Sequence, residues 1–100
     1  MRIFVCSPYA GDVAGNVARA RRYTQQVIAQ GHAPFAPHLL YPQCLDDDDP
    51  QQREAGIACG LAFLRVCDEV WVFGSNITAG MRVEIECARQ SGIPVIYRNG

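Results

Sequence analysis

The order of apolar segments along the chain predicts a small α/β domain with a parallel sheet. Short continuous apolar runs, typical of strands buried on both faces, alternate with segments whose apolar residues recur at the helical period. The chain has 100 residues, of which 49% are apolar and 19% charged, as in an ordinary globular domain. We therefore expect residues 1–100 to form one three-layer Rossmann- or flavodoxin-like domain with four to five parallel strands joined by right-handed crossovers.

The first third of the chain predicts two strands and one helix. An apolar run at 3–6 predicts the first strand, and Asp12 is a suitable N-cap for a helix that ends before Gly31. A short piece at 33–36 contains a proline, which predicts a brief strand at the sheet edge. The apolar positions expected to be buried on the first helix are Val13, Val17, Ala20, Thr24, Val27 and Ile28.

The rest of the chain begins with an expected long loop at 37–49, which has no regular period and includes four consecutive aspartates. Asp49-Pro50 predicts the start of a second helix that runs to about residue 66, in which Gly56 and Gly60 indicate a close helix contact. The buried face expected for this helix consists of Ile57, Ala58, Leu61 and Leu64. The elements expected after it are a third strand at 69–73, a third helix at 79–90 capped by Thr78, and a last strand at 93–97.

Composition excludes several functional classes. The net charge of −1 and the absence of a basic stripe disfavour polymeric nucleic acid as a partner. All nine basic residues are arginines, which excludes Walker-A loops, Schiff-base enzymes and phosphoacceptor receiver domains, because each depends on a lysine. No apolar run approaches the roughly 20 residues that cross a bilayer, so we expect no membrane contact. We also expect no metal, because the run 46–49 lacks the alternating spacing of a calcium loop.

Five cysteines are present, an odd number without a C-x-x-C pair. Most have apolar neighbours, and the chain opens with no signal-peptide pattern. We interpret them as reduced core thiols of a cytoplasmic protein. The five are Cys6, Cys44, Cys59, Cys67 and Cys87.

The third predicted helix carries two glutamates in different environments. Its helical phase places Glu84 within the apolar arc, whereas Glu86 lies among Arg82 and Arg89 and should form ion pairs with them. A carboxylate that faces the sheet needs hydrogen-bond partners or a ligand, since burying it alone is costly. Glu84 is therefore the main candidate for a functional residue, with a satisfied structural carboxylate as the alternative.

Three loops should meet beyond the carboxyl ends of the strands, where parallel sheets bind ligands. They are residues 7–16, 37–49 and 74–80. The first loop lacks a G-x-G-x-x-G fingerprint, so we expect no dinucleotide cofactor, although its backbone N–H groups could hold a phosphate or a sugar hydroxyl. A phosphatase role for Cys6 fails because Asp12 stands where the phosphate-binding arginine is required.

Several of these segments together resemble the nucleoside 2-deoxyribosyltransferase-like superfamily, in particular a small branch common in bacteria and their phages. The segments are VCSPYAGD at 5–12, Asn16, Pro37-His38, CDEVWVFG at 67–74 and GMRVEIECA at 80–88. The resemblance implies a nucleoside or nucleotide as the small-molecule partner, no cofactor, and cleavage or transfer of its N-glycosidic bond. It also implies a homo-oligomer, for which the second helix is a reasonable contact.

The resemblance further implies roles for individual residues. Glu84 would be the nucleophile, and Tyr9, Asp12 or His38 would assist departure of the base. The hydrolases of the superfamily carry an aspartate where this chain has Gly60, which leaves a non-catalytic nucleotide-binding module, or a structural or interaction domain, as alternatives. The substrate-binding residues implied are Ser7, Pro8, Gly11, Asn16, His38, Gly74, Ser75, Gly80 and Met81.

Overall fold

The computed structural model describes residues 1–98 and contains one sheet of four parallel strands in the order β2-β1-β3-β4. This confirms the predicted α/β fold, with the short second strand at an edge. The predicted domain extends to residue 100, and residues 99 and 100 lie outside the described part. The elements are β1 (Arg2–Cys6), α1 (Val13–Ala29), β2 (Ala33–Phe35), α2 (Pro50–Leu64), β3 (Glu69–Phe73), α3 (Ala79–Gln90) and β4 (Val95–Arg98).

The helices cover both faces of the sheet and give three layers. On one face α1 packs against the alternate strand residues Ile3, Val5, Trp71 and Phe73, and the ring of Tyr23 stacks on that of Phe73 with centroids 4.5 Å apart. On the other face α2 and α3 pack against the intervening strand residues. Those residues are Phe4, Cys6, Val70 and Val72.

Helix α1 begins as predicted, because the Asp12 side chain accepts a hydrogen bond from the backbone N–H of Gly15. Its buried stripe is narrower than predicted: Val13 and Ile28 are exposed, whereas Tyr23 is buried. The buried positions, which recur every three or four residues along one line of contact with the sheet, are Asn16, Ala20, Tyr23 and Val27.

Helix α2 departs most from the prediction. Ile57 and Ala58 are exposed, and the buried residues of the helix are Gly60 and Leu64. The reason is that α2 also packs against the segment 37–45, which forms two short 3-10 turns, Pro37–Leu39 and Tyr41–Gln43, rather than an irregular loop. Gly56 lies beside Tyr41 and Leu45, and Gly60 beside Pro37 and Tyr41, so the two glycines admit this segment and not a second helix.

Three smaller expectations also change. Strand β4 begins two residues later than predicted, at Val95. Glu86 accepts a hydrogen bond from the Gln90 amide at 3.4 Å and has no ion pair within the described residues. The cysteines are all free, but only Cys6 and Cys87 are buried, so the expectation of core thiols was wrong for the exposed Cys44 and Cys59.

The order of the strands places the topological switch point of the sheet between β1 and β3. The chain leaves β1 through α1 to reach β2 on one side, whereas β3 pairs with β1 on the other side. Loops that follow β1 and β3 therefore diverge around a crevice at the carboxyl ends of these strands, where ligands bind in open parallel sheets. No helix within residues 1–98 is long and apolar enough to span a membrane.

Candidate functional site

A cavity of about 230 Å³ lies at the predicted crevice. It lies just under the usual range of about 300–1,000 Å³ for small-molecule pockets. Its walls come from four parts of the chain: Tyr9 and Ala10 after β1, the turns between residues 37 and 47, the inner face of α2, and residues 78–84 at the start of α3. The cavity therefore combines the sheet edge with a wall formed by α2.

Glu84 is the acidic side chain that α3 contributes to this cavity. Its Oε1 atom is buried and has no hydrogen-bond partner within residues 1–98. Burial raises the pKa of this carboxyl from 4.5 to about 7, and the neighbouring Cys6 thiol partly opposes the increase. At neutral pH the group is thus divided between a carboxylate, which can attack or stabilise a cation, and an acid, which can donate a proton.

The thiol of Cys6 lies beneath Glu84 at the end of β1. It is fully buried and donates a long hydrogen bond, 3.9 Å, to the carbonyl oxygen of Met81. Burial, together with the negative charge of Glu84, raises the pKa of this thiol far above its ordinary value. Cys6 therefore stays protonated and serves as a hydrogen-bond donor rather than a nucleophile.

Tyr9 and His38 form a tilted aromatic pair that lines the same cavity, with ring centroids 5.1 Å apart. The Nε2 atom of His38 lies 2.8 Å from the carbonyl oxygen of Ser7, so this nitrogen carries a proton and donates it to the carbonyl. Burial lowers the pKa of His38, which leaves a neutral ring with Nδ1 as an acceptor. Burial and the charges of Asp47 and Asp48 raise the pKa of Tyr9, so its hydroxyl keeps its proton at neutral pH.

Asp12 and Asn16 organise the first loop and do not line the cavity. The carboxylate of Asp12 caps α1 and lies 3.7 Å from the guanidinium group of Arg19. The side-chain amide of Asn16 donates to the carbonyl oxygens of Tyr9 and Ala10 at 2.9 and 3.1 Å. These contacts fix the position from which Tyr9 reaches the cavity.

The other predicted site residues divide into two groups. The structure brings Tyr9, His38, Gly80, Met81 and Glu84 together around the cavity. Among the others, the Ser7 hydroxyl is buried without a partner within residues 1–98, and Pro8 packs on Gly74, whose positive φ turns the chain after β3. The residues that do not line the cavity are Ser7, Pro8, Gly11, Asp12, Asn16, Gly74 and Ser75.

Sequence analysis missed the wall that α2 contributes. Gly60 lines the cavity there, at the position where the resemblance implies an aspartate that assists catalysis. This position therefore supplies no carboxylate to the cavity. The available signal was the composition of α2, which is apolar on all sides after its first turn and carries two glycines one turn apart. The polar cavity residues that were not among the predicted site residues are Tyr41, Asp47, Gln52, Arg53 and Thr78.

Solved structures of three enzymes share this fold. The chain superposes on the 2-deoxyribosyltransferase of the psychrotolerant bacterium Bacillus psychrosaccharolyticus with a TM-score of 0.80 at 18% identity, covering 99% of this chain and 72% of the enzyme. It superposes on the 2-desoxiribosyltransferase of Leishmania mexicana with a TM-score of 0.65 at 15% identity, covering 98% of this chain and 63% of the enzyme. It superposes on the CMP N-glycosidase BcmB of Clostridium botulinum with a TM-score of 0.57 at 18% identity, covering 99% of this chain and 69% of the enzyme.

These likenesses confirm the resemblance at the level of the fold. The chain spans between 63% and 72% of the length of these three enzymes, which are therefore longer. No curated protein has a significantly matching sequence. Residues 1–98 match the model of a family described as "Domain of unknown function (DUF7768)".

Proposed function

We propose that this chain, which belongs to the family described as "Domain of unknown function (DUF7768)", binds a nucleoside or nucleotide in the cavity and cleaves or transfers its N-glycosidic bond. The observation that carries the proposal is the Glu84 carboxyl group, which lies on a cavity wall and whose buried Oε1 atom has no hydrogen-bond partner within residues 1–98. A buried oxygen without a hydrogen bond costs stability, which is typical of groups kept for a ligand. The fold shared with two deoxyribosyltransferases and a CMP N-glycosidase supports the choice of substrate class.

In the proposed reaction, the carboxylate of Glu84 attacks the anomeric carbon of the sugar. The bond between this carbon and the base nitrogen breaks, and its electron pair leaves with the base. The transition state has oxocarbenium character, so its positive charge favours the ionised form of Glu84 over the acid. The product of this step is an ester between the sugar and Glu84. Water, to complete hydrolysis, or the nitrogen of a second base, to complete transfer, then attacks the same carbon and gives its proton to the phenolate left at Tyr9. The ester bond breaks, and its electron pair returns to the carboxylate of Glu84.

The departing base needs a proton, and Tyr9 is the donor that we propose. Its hydroxyl remains protonated at neutral pH and lies on the same cavity. His38 is a poor donor, because its Nε2 proton is engaged by the Ser7 carbonyl and its ring is neutral. We assign to the Nδ1 atom of His38 the role of accepting a hydrogen bond from a hydroxyl group of the ligand.

A chromatographic assay of base release and base exchange tests the proposal. The substrates are ribo- and deoxyribonucleosides and their 5′-monophosphates, and the proteins are the parent, Glu84→Gln and Glu86→Gln. Glutamine preserves the size of the side chain and removes the nucleophile, so we expect turnover to be lost in Glu84→Gln. The exposed Glu86 lies two residues further along the same helix, and its variant should keep parental activity. Equal turnover in all three proteins would contradict the role of Glu84.

A second candidate function is recognition of a nucleotide without catalysis. The observation that favours it is Gly60, which lines the cavity where the resemblance implies an assisting aspartate. Calorimetric titration with the same nucleosides and monophosphates separates the two candidates. Tight binding by both the parent and Glu84→Gln, with no turnover by the parent, would favour the binding module. Turnover by the parent would reject it.

A further inference from the structure

The rim of the cavity carries one negative and one positive side chain that the proposed reaction does not use. They are Asp47, in the turn before α2, and Arg53, near the start of α2, and both line the cavity while remaining exposed. The Gln52 side chain ties the two segments together, because its Oε1 atom accepts a hydrogen bond from the backbone N–H of Asp46 at 2.8 Å. The two charges therefore lie on the same side of the cavity, and we name Asp47 and Arg53 the charged rim.

The guanidinium group of Arg53 is available to a ligand. Asp49, one helical turn before it, occupies the usual position of an ion-pair partner. The Asp49 carboxylate is instead engaged at the start of the helix, since it accepts hydrogen bonds from the backbone N–H of Gln51 at 3.0 Å and from the side-chain amide of Gln52 at 3.1 Å. Within residues 1–98 Arg53 forms no ion pair, with Asp47 or with any other acid. Its donors therefore remain for a group in the cavity.

Asp47 faces the aromatic pair of the cavity. Besides burial, the negative charge of Asp47 raises the pKa of Tyr9, and it opposes the lowering of the His38 pKa that burial causes. An effect on both groups requires the carboxylate to lie near both rings. Arg53 is not among the described charges that shift either pKa, so it lies farther from the pair than Asp47 does. The two rings offer flat surfaces for stacking a planar base, which places Asp47 at the edge of that base.

Arg53 also lies at the end of the cavity away from Glu84. Glu84 belongs to α3, and α2 approaches this helix at Leu61, which packs against the core cluster that contains Ile85. Arg53 precedes Leu61 by eight residues, or about 12 Å along the helix axis. A ligand that extends from Glu84 along the cavity therefore meets Asp47 first and Arg53 at its far end.

We propose that the charged rim selects bases with a carbonyl oxygen opposite the glycosidic bond and a ring N–H beside it. This inference rests on the proposed function, in which Glu84 fixes the position of the anomeric carbon. The exocyclic group at C4 of a pyrimidine or C6 of a purine is the part of the base edge farthest from the sugar, so it reaches Arg53. The neighbouring ring position, N3 of a pyrimidine or N1 of a purine, then faces Asp47.

The two charges determine which bases match the rim. A guanidinium group only donates hydrogen bonds, and a carboxylate only accepts them. Arg53 therefore matches a carbonyl oxygen and Asp47 matches an N–H group, which is the arrangement in uracil, thymine, hypoxanthine and guanine. Cytosine and adenine reverse both groups, with an amino group towards Arg53 and an unprotonated ring nitrogen towards Asp47. Two donors then meet at one position and two acceptors at the other, so the rim disfavours these bases.

Calorimetric titration with two matched pairs of nucleosides tests this selectivity. Uridine and cytidine differ only at C4 and N3, and inosine and adenosine differ only at C6 and N1, so the sugar and the size of the base are constant within each pair. We expect the parent to bind uridine and inosine about tenfold more tightly than cytidine and adenosine. Water competes for the hydrogen bonds of the exposed rim, which keeps the expected difference at the lower end of the range for a matched pair of contacts.

Two rim variants and two matched controls assign the effect to residues. Arg53→Gln and Asp47→Asn introduce amides that both donate and accept, so each should bring the affinity ratio within a pair close to one. The controls are Arg21→Gln, exposed on α1, and Asp48→Asn, exposed beside Asp47, and neither position lines the cavity. Both controls should keep the parental ratio. Because the ratio compares two ligands on one protein, a partial loss of folded protein does not change it.

The possible results separate this inference from the proposed function. Equal affinities within both pairs in the parent, or a preference for the amino bases, would overturn the selectivity and leave nucleoside binding intact. Controls that change the ratio as much as the rim variants do would overturn the assignment to Asp47 and Arg53. Binding of none of the four nucleosides would reject the proposed function together with this inference.

Discussion

Glu84 should make the stability of the protein fall as the pH rises from 5 to 8. Burial raises its pKa in the folded state from 4.5 to about 7. Between these two values the folded protein binds more protons than the unfolded chain, so the free energy of unfolding decreases with increasing pH. The stabilising contribution is complete below about pH 4.5 and is lost by about pH 8.

The magnitude follows from the two pKa values. A difference of 2.5, from 4.5 to about 7, corresponds to about 3 kcal/mol at 1.36 kcal/mol for each pH unit. Replacing Glu84 with glutamine removes the titrating group and keeps the shape. We therefore expect Glu84→Gln to exceed the parent in stability by up to about 3 kcal/mol more at pH 8 than at pH 5.

Urea unfolding followed by fluorescence measures this difference directly. Trp71 is the only tryptophan of the chain and is 3% exposed, so its emission should change on unfolding. His38 titrates in the same pH range with the opposite effect, because its lowered pKa makes the fold more stable as the pH rises. That contribution is common to both proteins, so the difference between the parent and Glu84→Gln isolates the carboxyl group.

Glu86→Gln provides the matched control for this experiment. Glu86 is exposed on the same helix, and its replacement should leave the pH dependence of the parent unchanged. Parallel stability curves for the parent and Glu84→Gln between pH 5 and 8 would refute the reasoning. Such a result would mean that Glu84 is solvated in the folded state.

Three further predictions follow from the same geometry. If Glu84 acts as a nucleophile, kcat/KM for base release should rise with pH up to about pH 7 and then level off, whereas a falling profile would indicate a general acid. Cys6→Ala should raise the pKa of Glu84 further, and Cys6→Ser should restore it to the parental value. The carboxyl carbon signal of protein labelled with ¹³C-glutamate reports this pKa, and an unchanged pKa in Cys6→Ala would contradict the influence of Cys6 on Glu84. Gly60→Ala should raise the free energy of unfolding by about 0.5–1 kcal/mol in urea titrations, because alanine is less flexible than glycine in the unfolded chain. The added methyl group fits, since it meets Pro37 at an ordinary contact distance of 3.6 Å, and a loss of stability would contradict that spacing.

The fold could be predicted from the sequence because its signals are local. The apolar runs at β1 and β3 and the caps at Asp12 and Thr78 need only neighbouring residues to be recognised. The orientation of Glu84 was also predictable, since helical phase alone places it on the apolar side of α3.

The faces of α2 could not be predicted in the same way. After its polar first turn the helix is apolar on all sides, so periodicity selects no buried face. Its orientation depends on the turns at 37–43, which have no regular pattern of their own. For the same reason the cavity residues Tyr41 and Arg53 were missed. The engagement of Asp12 and Asn16 in fixing the first loop likewise depends on contacts that no local pattern reveals.

The wall that α2 and the preceding turns build around the cavity has a consequence for divergence within this fold. The sheet and the start of α3 hold Glu84, whereas the wall from α2 includes Arg53 and Ile57, which contribute nothing to the two buried core clusters. Substitutions at these two positions can reshape the cavity at little cost to folding. Under the proposed function, the reactive group is therefore held constant by the core, whereas the preference for a particular ligand can change independently of it.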